Sequence, residues 1–276
     1  MTWRRLDGAG QRAQVPAWPA PERVKLARIN TSAVKGFRLR HPEQVSLGPD
    51  GVADNRRFFV VGADGERLRS STTAWLSLVA ADWDTHDEVL RITLPDGTTA
   101  EGDARGNGEA VHTTSGSLEI SGRVVHGPWE QALSDYAGVP LRLARSDRLG
   151  VGLNAPVTLV SDGSLRRLAA EAGVDELDSR RFRMLFELAG CREHEEDEWE
   201  GRLLRIGDAV LRVGGPVDRC AVTTRDPDTA TRDLDTLRLL KDYRGQRESD
   251  GAVLFGVYAE VERPGLVRVG DVIEPL

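Results

Sequence analysis

The chain alternates short apolar strands with polar turns through its first half and adds amphipathic helices in its second. "VKLARIN" (24–30) alternates with period two and predicts a strand. "RRFFVVGADGERLR" (56–69) predicts a hairpin turning at Ala63-Asp64-Gly65, and "LRITLPDGTTAEG" (90–102) another turning at Pro95-Asp96-Gly97. Short strands with such turns continue to about residue 127, a spacing that suggests a small barrel or sandwich. "WEQALSDYAG" (129–138) predicts a helix stopped by Gly138, followed by a strand over 139–145.

The polar, glycine-bearing "SDRLGVGLN" (146–154) places a domain boundary near 145–155. The division expected is a loosely ordered lead-in over 1–22, a β-rich domain over 23–150 and a second domain over 151–276. The second opens with "APVTLVSDGSLRRLAAEAG" (155–173), a buried strand, a polar turn and an amphipathic helix ending at Gly173. The start of that helix, Ser161 to Ser164, offers N–H groups and a positive dipole end that favour an anion; capping by Asp162 or Ser164 would satisfy the same groups. A basic turn "SRRFR" (179–183), further strands, a helix over 234–244 and two closing strands complete a mixed α+β, mostly β chain.

Composition narrows the function classes. A formal net charge of −7 over 276 residues argues against broad nucleic-acid binding. The five histidines, at 41, 86, 112, 126 and 194, show no metal-ligand spacing, and Cys191 and Cys220 form no CxxC. The first 24 residues hold no apolar run resembling a signal peptide or anchor, so no membrane association and a cytoplasmic location are expected.

Candidate chemistry centres on "GGPVDRCAVTTRDPDTA" (214–230). Arg219 directly before Cys220 would favour a thiolate able to act as nucleophile, persulfide carrier or soft metal ligand; a packed structural cysteine is the competing reading. In "SRRFRM", Arg181 and Arg183 would point the same way if extended, and guanidinium forks suit phosphate oxygens. With Lys35 and Arg56–Arg57 beside predicted strands, these residues suggest a cationic pocket for a phosphate-bearing ligand near a thiolate.

The ordered blocks "SRRFR", "EDEW", "RIGDAVLRV", "PVDRCAVTTRDPDTA", "FGVYAEV" and "PGLVRVGDVI" closely resemble the MOSC-domain family. "SAVKGF", "GVADNRRFFVVGADGERL" and "WEQALSDYAGVPLRLAR" resemble the β-barrel domain that precedes MOSC in two-domain relatives of the amidoxime-reducing type. The resemblance implies two β-barrel-like domains with peripheral helices and a molybdenum cofactor, molybdopterin, ligated by the Cys220 thiolate. It puts Asp218 and Arg219 in the cofactor loop, Lys35, Arg56 and Arg183 on the pterin and its phosphate, Ser161 at a family threonine, and Tyr258 near the cofactor. Gly36, Asn55, Leu185 and Ala230 depart from the family serine, aspartate, asparagine and glycine, and Gly36 and Leu185 remove two hydrogen-bonding groups from the expected pocket.

The implied activity is reduction of N-hydroxylated small molecules, with electrons from a separate redox protein because the chain has no iron–sulfur, flavin or nicotinamide motif. Two rivals keep the fold without molybdenum or any other cofactor chemistry: sulfur transfer or thiolate catalysis at Cys220, and a non-catalytic pterin- or phosphate-binding module.

Overall fold

The computed structural model describes residues 24–66, 68, 73–116 and 118–276; the expected lead-in over 1–22 lies outside them. The first strands are β1 (Lys25–Ile29), β2 (Gln44–Gly48), β3 (Gly51–Val52) and β4 (Phe58–Gly62). They are followed by β5 (Ala80–Asp84), β6 (Val89–Thr93), β7 (Thr99–Asp103), β8 (Ala110–Ser115) and β9 (Leu118–Val124). Helix α1 (Trp129–Ala137) and β10 (Leu141–Ser146) complete this half. Sheets of order β4-β10-β9-β8 and β5-β6-β7 enclose one apolar core containing Phe37, Phe58, Leu90 and Leu143. Trp129 of α1 closes that core, fully buried, and donates its indole N–H to Val125 O at 2.9 Å.

The second half holds β11 (Val157–Ser161), α2 (Asp162–Ala172), β12 (Phe186–Ala189), β13 (Leu203–Ile206) and β14 (Ala209–Arg219). Helix α3 (Thr236–Arg244), β15 (Val253–Arg263), β16 (Gly265–Arg268) and β17 (Ile273–Pro275) follow, so the expected pair of closing strands is three. One sheet runs β1-β12-β11-β15-β14-β13-β17 and curls until its ends meet. Ile273 N–H donates to Val24 O at 2.8 Å, and Leu26 exchanges bonds with Asp271 O (2.9 Å) and Gly270 N (2.8 Å). Leu159, Phe186, Leu204 and Leu211 fill this nearly closed barrel, each at most 2% exposed. Burying a side chain of this size stabilises by roughly 1.5–3 kcal/mol.

The first three strands belong with this barrel and not with the unit expected over 23–150. Apolar Leu26 and Ile29 of β1, and Val45, Leu47 and Val52 of β2–β3, share the barrel core, and β2 pairs with β16. The period-two pattern identifies β1 as a strand but carries no information about its partner, β12, some 160 residues later.

Helices α2 and α3 cover the outer wall, where Leu168 and Leu240 share an apolar cluster with Phe255 of β15. This second layer explains why every residue of β11 is buried: one face looks into the barrel, the other at the helices. In β15, Val257 faces the barrel and Phe255 the helix layer although they are two apart. Gly256 between them makes the switch, with φ +74° and a hypothetical Cβ only 2.6 Å from Leu159 O.

Candidate functional site

Strand β14 carries the site. Its pairing with β15 slips register between Val213 and Pro216 and again before Asp218, so its end swings off the barrel and delivers Arg219 and Cys220 to a cleft. Seven of the eight expected residues line that cleft: Lys35, Arg56, Arg183, Asp218, Arg219, Cys220 and Tyr258. Cys220 is exposed, whereas Cys191 is buried and its thiol pushed far up by burial and by Glu196 nearby. Cys220 is therefore the thiol positioned for chemistry. No histidine lines the cleft, so the thiol lacks the imidazole base that cysteine hydrolases use.

The cations around it are poorly compensated. Arg183 donates to Phe37 O, Arg56 to Arg183 O at 2.9 Å, and Arg219 to Phe182 O and Met184 Sδ. These acceptors are neutral, and no carboxylate among the described residues lies within 4.0 Å of the three guanidinium groups. Burial and mutual repulsion lower the pKa of Arg56 to about 10 and of Arg183 to about 9, so both stay charged at neutral pH. Arg219 is lowered by burial too, and its Nε has no partner. An anion entering the cleft would relieve this cost, because an opposite charge favours the charged form. Lys35 donates from Nζ to Val151 O at 3.1 Å. Gly152 makes room for it: φ there is +72°, and a Cβ would sit 1.9 Å from Nζ. Gly152 is a cleft residue that its place in a polar connecting segment does not reveal. Tyr258 accepts from Asn154 Nδ2 at 3.4 Å, and burial raises its hydroxyl pKa.

Several expected positions differ. Ser161 is not in the cleft. It is fully buried and caps α2 by accepting from Ser164 N–H. Buried Glu196 occupies that helix end, accepting from Ser161 Oγ (2.5 Å), Ser161 N (3.2 Å) and Ser164 Oγ (2.7 Å). The anion predicted for the helix start is thus supplied by the chain itself, from a residue 35 positions away. Burial raises the Glu196 pKa despite its donors. Such a group stabilises fully below the ordinary glutamate value, and that contribution is lost as pH rises through the raised one. In Glu196→Gln, urea midpoints measured above pH 4.5 should fall less with rising pH than in the parent; equal slopes would refute this assignment.

Asp218 lines the cleft but its carboxylate is held by Arg247, at 2.9 and 3.0 Å. Arg181 and Arg183 do not point alike, because 179–182 is a 3₁₀ turn and Arg183 has φ +54°. Arg181 instead makes a two-pronged pair with Asp233 at 2.7 and 2.5 Å. Leu185 packs its side chain in the barrel core, while its N–H donates to Thr158 Oγ1 at 2.8 Å and its carbonyl accepts from Asn30 N–H at 2.8 Å. Its apolar side chain therefore leaves no gap in the cleft lining. Asn55 is buried and accepts from Ser32 N–H through Oδ1 at 3.2 Å, a role that an aspartate could also fill.

The threonines and aspartates after Cys220 build its loop. Thr223 Oγ1 donates to Cys220 O at 3.1 Å, and Asp226 Oδ1 accepts from Asp228 N–H and Thr229 N–H at 2.9 and 2.8 Å. Ala230 closes the loop at φ +59°, where a side chain costs roughly 1–2 kcal/mol. Ala230→Gly should raise stability by about 0.5–1 kcal/mol after the loss to unfolded-chain entropy, read from the urea midpoint. A lowered midpoint would show that the buried methyl matters more than the strain.

No group of three or more His, Cys, Asp or Glu side chains among the described residues is arranged to hold a bare metal ion. No helix among them is long and apolar enough to cross a membrane.

Human mitochondrial amidoxime-reducing component 1 is 26% identical over 291 residues, covering 92% of this chain and 86% of that protein. The mouse counterpart is 37% identical over 125 residues, 40% of this chain and 36% of its own length. Among solved structures, the YUAD protein from Bacillus subtilis aligns over 91% of this chain and 94% of its own, at 13% identity and a TM-score of 0.41. Residues 146–274, which include β11, the Arg181–Arg183 turn and the Cys220 loop, match the family model and are a MOSC domain.

Proposed function

We propose that the protein is a molybdenum-cofactor-dependent oxidoreductase that reduces N-hydroxylated small molecules. The observation that carries this reading is an exposed thiol, Cys220, in one cleft with three guanidinium groups lacking carboxylate partners. That donor set fits the cofactor, a metal that takes thiolate sulfur on a pterin bearing a multiply charged phosphate. Cys220 Sγ would ligate the metal, while Arg56, Arg183, Arg219 and Lys35 would hold the anionic pterin and orient it.

When bound, the cofactor supplies a two-electron centre able to accept oxygen from the substrate. The overall change is R–N–OH + 2e⁻ + 2H⁺ → R–NH + H₂O. Both electrons come from a separate redox protein. The partly buried cations disfavour a cationic competitor in the cleft. Support also comes from likeness to proteins named amidoxime-reducing components.

Molybdenum and pterin content of protein purified from a host that makes molybdopterin tests this. Near-stoichiometric amounts of both, with turnover of benzamidoxime by the reduced protein, are expected. Protein free of both metal and pterin despite ample supply would overturn the reading.

A further inference from the structure

A second cleft adjoins the first. The two share Gly36, Arg181, Arg183 and Val222 in their walls, and Val222 lies two residues from Cys220. Its apolar surfaces come from Leu39, Ala74, Val222 and Pro227. Its cations are Arg38, Arg180, Arg181, Arg183 and Arg225, against one acid, Asp226.

Not all of these are available to a ligand. Arg180 is taken up by Asp178 and Asp228, and Arg181 by Asp233. Arg225 donates to Ala230 O at 3.0 Å, and Arg183 serves the first cleft. Asp226 is occupied by the N–H groups of its own turn. Arg38 differs from all of them. It is exposed, its backbone N–H is bonded to Val79 O at 2.8 Å, and its guanidinium has no acceptor among the described residues. A backbone-anchored arginine with a vacant fork, at the wall of an apolar-sided cleft that shares walls with the cleft of the thiol, is suited to one anionic group on an apolar body. Gly36, which stands at the junction, presents no side chain to separate the two spaces.

We propose that this second cleft is the substrate's specificity pocket, and that Arg38 selects N-hydroxylated substrates carrying an anionic oxygen group at the end remote from the N–O bond. This rests on the reading above for the reacting end only; capture of the anionic end depends on the cleft alone. Arg38 acts in recognition and touches no reacting atom.

The probes are benzamidoxime, 4-carboxybenzamidoxime and the 4-phosphono analogue, with their amidine products for calorimetric binding without turnover. The anionic members should bind about tenfold more tightly than the neutral one, as expected for one charge-assisted contact, with the difference appearing in KM and not in kcat. Arg38→Ala should bring the three to near parity, and Arg38→Lys should restore part of the preference. The stronger of carboxylate and phosphonate identifies the natural anion.

Equal binding of neutral and anionic amidines by the parent would overturn the proposal while leaving the reductase untouched. Preference for the anionic amidine that depends on Arg38, in protein with no reductase activity, would sustain the pocket and remove the reductase. Loss of pterin in Arg38→Ala would overturn the proposal by assigning the cleft to the cofactor.

Discussion

Replacing Cys220 by alanine should abolish benzamidoxime reduction while leaving the pterin in place. Removal of a group that merely orients a metal ligand typically costs about 10–100-fold in affinity or activity, so loss of the proposed ligand itself should exceed that. The hydrogen bonds that anchor the four cations of the cleft do not involve the thiol: Arg56, Arg183 and Arg219 donate to carbonyls or to Met184, and Lys35 to Val151 O. Pterin bound per chain should therefore stay near the parent value, while metal content or the sulfur-to-metal absorption of the parent falls. Cys191→Ala is the matched control, since that thiol is buried and its pKa is pushed up. Unchanged turnover in Cys220→Ala would remove the thiol from the chemistry.

The largest stability loss is expected from Asp233→Ala. Arg181 is only 7% exposed, and Asp233 is the partner that neutralises it; the other carboxylate, of Asp226, is 3.8 Å away. Removing one member of a buried pair costs about 3–5 kcal/mol because the survivor is stranded. Asp233 itself is 39% exposed, which lets water compensate in part, so a loss of about 2–3 kcal/mol is expected.

The loss should depend on pH. Hydrogen bonding from Arg181 holds the Asp233 pKa below its ordinary value, so its contribution is present above that ordinary value and lost as pH falls through the lowered one. Parent and variant stabilities should converge in acid. A double variant, Arg181→Met with Asp233→Ala, should be more stable than Asp233→Ala alone, since it no longer strands a charge. Urea titrations at several pH values decide this; a loss under about 0.5 kcal/mol would mean the pair is surface-like.

Much of the fold was legible because each local signal coincided with the tertiary outcome. The turns at Gly65 and Gly97, the helix stop at Gly138 and the strand and helix of 157–172 follow from residue types within a few positions, although the polar turn expected between the last two is absent: α2 starts directly after Ser161. The cleft was legible in outline because its cations cluster beside predicted strands and its cysteine has a cation for a neighbour. What failed depended on distant partners. Ser161 is satisfied by Glu196, Asp218 by Arg247 and Arg181 by Asp233, and none of these pairings leaves a mark in local sequence. The basic turn expected over 179–183 is a 3₁₀ turn capped by Asp178, which accepts from Arg180 N–H at 2.9 Å, so the alignment of Arg181 with Arg183 that an extended segment would give does not arise.

The meeting of β1 with β17 has a consequence for how the protein is made. The strand that leaves the ribosome first among those described must wait for nearly the last before its own edge is covered, with Leu26 bonded to residues 270 and 271. Until then the growing chain carries an open sheet margin and a partly wet barrel interior, the condition in which unpaired strands associate with neighbours. Such non-local pairing is slow to form, and the cleft too is non-local, with Lys35 and Arg56 from the early segment and Cys220 from the late one. The Cys220 thiol thus meets Lys35 and Arg56 only after a long stretch of chain has been made between them.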